Sequence, residues 1–152
     1  METLGVELQV NTLAENGYFT GYASVFDHVD RQQDVILAGA FEASVGKPQN
    51  IKLLWQHDPT QPIGKVEYAE EDDYGLYVEA RLLLDVQKGR EAYSLLKNNA
   101  ISGLSIGYKV KDSIYDYDTG LRLIRKIELY EISLVTFPAN EMAQVVGVKE
   151  GV

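Results

Sequence analysis

The sequence predicts a mainly β chain with a few helices, built on an antiparallel β-barrel or closed-sandwich core. Three observations lead there. Short apolar–polar alternations of period two recur along the chain, Gly, Asn, Asp and Pro punctuate them, and few stretches carry helical spacing. Leu4-Gly5-Val6-Glu7-Leu8-Gln9-Val10 alternates and reads as a half-buried strand. Asn16-Gly17 signals a turn, and Tyr18 to Phe26 reads as a second strand that completes a hairpin. Residues 27–34 form a polar loop. Residues 37–45 suit a short helix, with Phe41 and Val45 one turn apart.

Ile51-Lys52-Leu53-Leu54-Trp55 is a compact apolar strand that ends at Gln56-His57-Asp58-Pro59. The proline disfavours helical backbone at Asp58, so His57 is expected where the strand opens into a loop. Residues 63–68 and 75–84 predict a second hairpin, with Glu70-Glu71-Asp72-Asp73 as its solvated turn. Residues 85–98 are the best helix: Asp85 can cap it, and Val86, Gly89, Tyr93 and Leu96 share a face. Strands follow at 101–110 and 114–117, then a turn at Asp118-Thr119-Gly120. Further strands at 121–127 and 129–136 are closed by Pro138.

Composition narrows the function. A chain of 152 residues suits one domain, here spanning 1–152, large enough to bury a core without staples. It has no cysteine, which excludes disulfides, thiolate metal centres and a cysteine nucleophile. Fourteen basic against 23 acidic residues give a formal charge of −9, and no basic stripe stands out, so nucleic-acid binding is disfavoured. No apolar run approaches the roughly 18 residues of a membrane-spanning helix. Met1-Glu2-Thr3-Leu4-Gly5 does not open a secretory signal, so an intracellular soluble protein is expected. No cofactor is called for.

The chain holds only two histidines, His28 and His57, and neutral-pH acid–base chemistry must pass through one of them. Gly103-Leu104-Ser105-Ile106-Gly107 fits the letters of the G-x-S-x-G nucleophile elbow. That motif needs a strand–turn–helix setting and a histidine downstream. Here Tyr108-Lys109-Val110 continues a strand, and no histidine follows Ser105. What survives is a serine on a strand with Gly103 and Gly107 on its own face, leaving room for a substrate backbone. The same glycines equally suit a bulge or barrel corner with an incidental serine. A serine needs a base, and His57, at the end of an apolar strand, is the better placed histidine. A histidine base in turn needs an orienting carboxylate. Strand 128–136 offers Glu131, grouped by period two with Leu129, Ser133 and Val135, and Glu128, nearer the strand start. A carboxylate on a central strand demands a partner, which favours Glu131. Asp27, His28, Asp30 and Asp34 form the weaker alternative of a hard-metal site.

These motifs together resemble the HK97-type prohead (procapsid maturation) proteases of tailed bacteriophages. The likeness runs through Gly21-Tyr22-Ala23-Ser24-Val25-Phe26-Asp27, Asp30, Asp34, Gly39-Ala40-Phe41, Leu54-Trp55-Gln56-His57-Asp58, Pro62-Ile63-Gly64 and Gly103-Leu104-Ser105-Ile106-Gly107-Tyr108. It ends at Glu131-Ile132-Ser133-Leu134-Val135-Thr136-Phe137-Pro138-Ala139-Asn140. The resemblance implies a β-barrel related to the herpesvirus assemblin proteases. It implies His57 as base, Ser105 as nucleophile and Glu131 as the acidic third member. It also implies substrates: the scaffolding segment of the major capsid protein, and the protease itself, cut inside the procapsid in the host cytoplasm. Homo-oligomers are expected, with neither nucleic acid nor membrane as partner. For the oxyanion, backbone N–H groups near Ser105 or an arginine, Arg122 or Arg125, come into question. The competing reading is a non-catalytic β-domain that docks on capsid or scaffold. Proteins of this kind often extend further past the last motif than Gly151-Val152.

Overall fold

The computed structural model describes the backbone of residues 2–7 and all of residues 14–138. The elements are β1 (Glu2–Glu7), β2 (Tyr18–Val25), β3 (Asp34–Ile36), α1 (Glu42–Val45), β4 (Lys52–Trp55), β5 (Asp58–Glu71), β6 (Gly75–Leu82), α2 (Gln87–Lys97), β7 (Gly103–Asp116) and β8 (Leu121–Val135), with a 3₁₀ turn at Pro48–Asn50 before β4. One sheet carries every strand in the order β1-β7-β8-β4-β5-β6-β2, and β3 pairs with β8 beside this path. The sheet curls into a half-barrel, bringing its two terminal strands, β1 and β2, against each other. The mainly β, largely antiparallel architecture agrees with the sequence. Two pairings are parallel, β3 with β8 and β4 with β8.

The concave face holds the core. Leu76, Val78, Ala80 and Leu82 of β6 alternate into it, joined by Phe19 and Ala23 of β2, Leu53 of β4 and Leu104, Ile106 and Tyr108 of β7. Helix α2 closes one side with Gly89, Ala92 and Leu96 buried. Its N-cap is Val86, with no side-chain cap, so the expected cap at Asp85 does not form.

Three other expectations are corrected. β1 pairs with β7 and β2 with β6, so 4–10 and 18–26 do not make a hairpin; residues 8–10 lie outside the described residues. The turn at Asn16-Gly17 instead leads into β2 with Gly17 at φ +88°. A Cβ there would run into the Leu82 carbonyl of β6, so only glycine lets the turn close against that strand. The helix expected over 37–45 is confined to Glu42–Val45. The acidic run at 70–73 is more than a solvated turn. Asp72 Oδ1 accepts the N–H groups of Tyr74 and Gly75, and Glu71 accepts those of Gly39 and Phe41 at 2.6 and 2.7 Å, fastening the α1 segment to β5.

The site depends on a change of phase in β8. Gly107 opposes Glu131, but the next residue of β7, Tyr108, opposes Leu129. Tyr130 is therefore the extra residue of a β-bulge, and it is exposed. Before the bulge Ile127 and Leu129 face the core; after it Ile132 and Leu134 do. Period-two counting placed Glu131 with Leu129. The bulge separates them and turns Glu131 and Ser133 to the strand face opposite the core cluster.

Candidate active site

Strand pairing aligns the site residues. Ser105 of β7 opposes Ser133 of β8, and Gly107 opposes Glu131. On the other side of β8, Lys52 to Trp55 of β4 run parallel to Glu131 to Leu134. The chain leaves β4 at Trp55 and re-enters the sheet at Asp58, which pairs with Trp55. Gln56 and His57 are thus the two central residues of a hairpin turn, and both have positive φ, +50° and +61°. Such φ values are those of the tight turn that matches strand twist, though they cost non-glycine residues about 1–2 kcal/mol each. Hydrogen bonds to β8 offset the strain. Gln56 N–H donates to the Leu134 carbonyl at 2.9 Å and His57 N–H to Ser133 Oγ at 3.0 Å. The Gln56 amide also donates to Thr136 Oγ1 at 2.7 Å and accepts the Thr136 N–H at 3.3 Å. Sequence placed His57 at the mouth of a loop. It sits in the turn itself, folded over β8.

From that turn the imidazole spans the two strands. Nε2 lies 2.6 Å from Ser105 Oγ, and Nδ1 lies 2.5 Å from Glu131 Oε1. The second carboxylate oxygen, Oε2, accepts the Ser133 hydroxyl at 2.6 Å. Ser105 and Glu131 are buried, while the imidazole keeps 26% of its side-chain surface exposed and so has one edge open to a substrate. A carboxylate, imidazole and hydroxyl in this line can move a proton off the hydroxyl and stabilise the imidazolium that results.

The glycines beside Ser105 have a different use from the one expected. A Cβ at Gly107 would sit 2.9 Å from Glu131 Cδ and closer still to Oε1, so the missing side chain is the space the carboxylate occupies. A Cβ at Gly103 would sit 2.9 Å from both Pro138 Cδ and the Val135 carbonyl. Both spaces are filled from within the chain, not left for a substrate.

The other candidates lie elsewhere. Glu128 is exposed and paired with Lys111 at 3.1 Å, and that pairing holds its carboxyl below the usual range. Arg122 and Arg125 stand near the start of β8, roughly 20–30 Å along the strand from Glu131. Arg122 Nε and Nη2 grip Asp34 at 2.9 and 2.8 Å, and Arg125 pairs with Asp112 at 2.9 Å. Neither arginine can serve Ser105. The proposed metal loop is also committed internally. Asp30 Oδ1 accepts the N–H groups of Gln32 and Asp34, Asp34 holds Arg122, and among the described residues no acidic or histidine cluster has the geometry of a metal site. Burial pushes the Asp30 carboxyl above its ordinary value. Sequence reasoning gave no role to Ser133, Gln56 or Thr136. Ser133 had a signal, since it lies two residues from Glu131 on the same strand face.

The family model described as caudovirus prohead serine protease matches residues 6–151. The chain is 34% identical over 147 residues to the prohead protease of Enterobacteria phage HK97, covering 94% of this chain and 65% of that protein. It is 32% identical to the prohead protease of Escherichia phage T5, covering 80% of this chain and 58% of that protein. A capsid polyprotein of Pseudomonas phage PAJU2 matches at 33% identity, over 89% of this chain and 20% of that protein. The chain thus spans less than two thirds of the first two relatives. In fold it is similar to the bacteriophage T4 capsid assembly protease, with a TM-score of 0.66 at 17% identity over 90% of this chain and 96% of that one. With a matching model over nearly its whole length, the chain belongs to the caudovirus prohead serine protease family.

Proposed function

We propose that the chain is a serine endopeptidase of procapsid maturation. Ser105 Oγ attacks the carbonyl carbon of the scissile peptide bond while His57 Nε2 takes the hydroxyl proton. The tetrahedral adduct collapses, the C–N bond breaks, and His57 returns the proton to the leaving amine. Water, deprotonated by the same imidazole, then releases the acyl group and restores the Ser105 hydroxyl. Glu131 orients the ring through Nδ1 and stabilises its cationic form. The observation that carries the proposal is the unbroken line from Ser105 Oγ through both ring nitrogens to Glu131 Oε1, at 2.6 and 2.5 Å.

Family membership extends the proposal to substrates. They are the scaffolding segment of the major capsid protein and other copies of the protease, cut inside the procapsid in the bacterial host. The open edge of the imidazole suits an extended peptide, which presents its carbonyls in sequence.

The test is cleavage of the capsid precursor by the purified chain, with Ser105→Ala beside it. Loss of the hydroxyl is expected to lower kcat by roughly 10⁴–10⁶ while leaving the fold intact. A fluorophosphonate is expected to label Ser105 and no other serine, as read by mass spectrometry of the digested protein. Equal cleavage by both proteins would overturn the nucleophile. Absence of cleavage and labelling in assembled procapsids would favour a docking module instead.

A further inference from the structure

Ser133 joins two parts of the site that the line from Ser105 to Glu131 leaves unconnected: the carboxylate and the main chain of the histidine turn. It is fully buried near the C-terminal end of β8. Its hydroxyl accepts the His57 N–H at 3.0 Å and donates to Glu131 Oε2 at 2.6 Å. A serine hydroxyl has one hydrogen, and an N–H can only donate. That hydrogen is therefore committed to the carboxylate and a lone pair to the turn, which fixes the rotor in one orientation.

We infer that Ser133 is a positioning residue of the catalytic site, acting through Glu131 and His57 and never touching the substrate; the inference rests on the catalytic reading above. Its first action is geometric. The terminal torsion of a glutamate is broad, so one hydrogen bond to Oε1 leaves the carboxylate free to swing. A second bond to Oε2 makes the group face the ring squarely. The same hydroxyl seats a turn whose two residues both hold positive φ, and so sets the height of the imidazole over Ser105.

Its second action is electrostatic. A donor on Oε2 stabilises the carboxylate, and it does so most when the imidazole is neutral and the pair carries a full negative charge. Removing it raises the proton affinity of the imidazole–carboxylate pair taken as a unit. The other groups facing the pair leave this expectation unchanged. β7 contributes the Ser105 hydroxyl and Gly107. On β4, Lys52 lies beside Glu131 in register, but its ammonium donates to the Gln49 carbonyl and is exposed. In β5 the Asp58 carboxylate is engaged by the Thr60 N–H and hydroxyl at 2.9 and 2.6 Å.

The experiment compares Ser133→Ala, Ser133→Thr and Ser105→Ala with the parent chain, reading kcat, KM, the pH profile of kcat/KM and the melting curve. Ser133→Ala is expected to lose about 10- to 100-fold in kcat with KM within about twofold. The acidic limb of its profile is expected to move to higher pH, and Ser133→Thr, which keeps the hydroxyl, to recover most of the rate. An inert filler of space would give a different pattern. If Ser105→Ala is inactive while Ser133→Ala keeps the parental kcat and pH profile, or if Ala and Thr are equally impaired with an unmoved limb, the inference is overturned and the catalytic reading stands. If Ser105→Ala remains active, the catalytic reading itself fails. Should Ser133→Ala not fold, Ser133→Cys, close in size and a weaker donor, carries the same two readouts: a slower kcat with a shifted limb supports the role, and parental behaviour overturns it.

Discussion

Glu131 is a carboxylate 3% exposed in the middle of a sheet, a placement that costs several kcal/mol without partners. Both of its oxygens have one, and the arrangement tolerates little substitution. Glu131→Gln keeps the shape but offers an amide that can present N–H where the ring also presents N–H. A drop of about 10⁴ in kcat is expected, with the melting temperature nearly unchanged, measured by cleavage assay and calorimetry. A second prediction concerns Tyr22, whose hydroxyl donates to Asp72; that bond, with burial, pushes its phenol up to about 12 from the ordinary 10.0. The folded chain keeps this proton where the unfolded chain has lost it. The resulting stability is complete below pH 10.0 and disappears as pH rises through about 12. Tyr22→Phe is expected to flatten that alkaline loss in denaturant midpoints measured between those values. At this scale much of the site was legible. With no cysteine and two histidines, few pairings of nucleophile and base remained. Ser133 was legible only as a neighbour of Glu131 on one strand face; its second partner, the His57 N–H, comes from a turn 76 residues away and leaves no mark in local sequence.

At the scale of single elements, the G-x-S-x-G letters were misleading about the backbone and informative about packing. The second glycine exists for a carboxylate on the next strand. Gly107→Ala is therefore expected to lose at least 10²-fold in kcat, through displacement of Glu131, while Ser105 and His57 remain in place. Loss of rate with retained secondary structure, read by circular dichroism, is the signature to look for. Two strands were read in pieces. The predicted breaks near 110–114 and 127–129 are places where β7 and β8 change phase, at irregularities between Val110 and Ser113 and at Tyr130, and the ribbon continues through them. Alternation reports phase, and a bulge looks like an end to it. β6, which has no bulge over Leu76–Leu82, matched its alternation directly.

For the whole molecule, the sheet order was not legible. Local alternation carries no record of which strands meet, and the parallel contacts of β8 with β3 and β4 join segments separated by long stretches of chain. One ion pair marks such a contact. Asp34, 4% exposed, takes two hydrogen bonds from Arg122 and ties β3 to the start of β8. Arg122 is partly solvated, so Asp34→Asn is expected to destabilise by about 1–3 kcal/mol, less than for a fully buried pair. Denaturant midpoints should fall while kcat per folded molecule stays at the parental value, because the triad sits at the other end of β8. A shift in kcat would show that the two ends communicate.

β8 lies between the strand of Ser105 and the hairpin of His57, yet it follows both in the chain. A polypeptide emerging from the ribosome as far as β7 has made its hydroxyl and its imidazole but not the strip of backbone that sets them side by side. Translation order thereby sets a sequence of assembly: on the proposed mechanism, the newborn chain lacks its proton path until β8, the last of the described strands, slots into the gap.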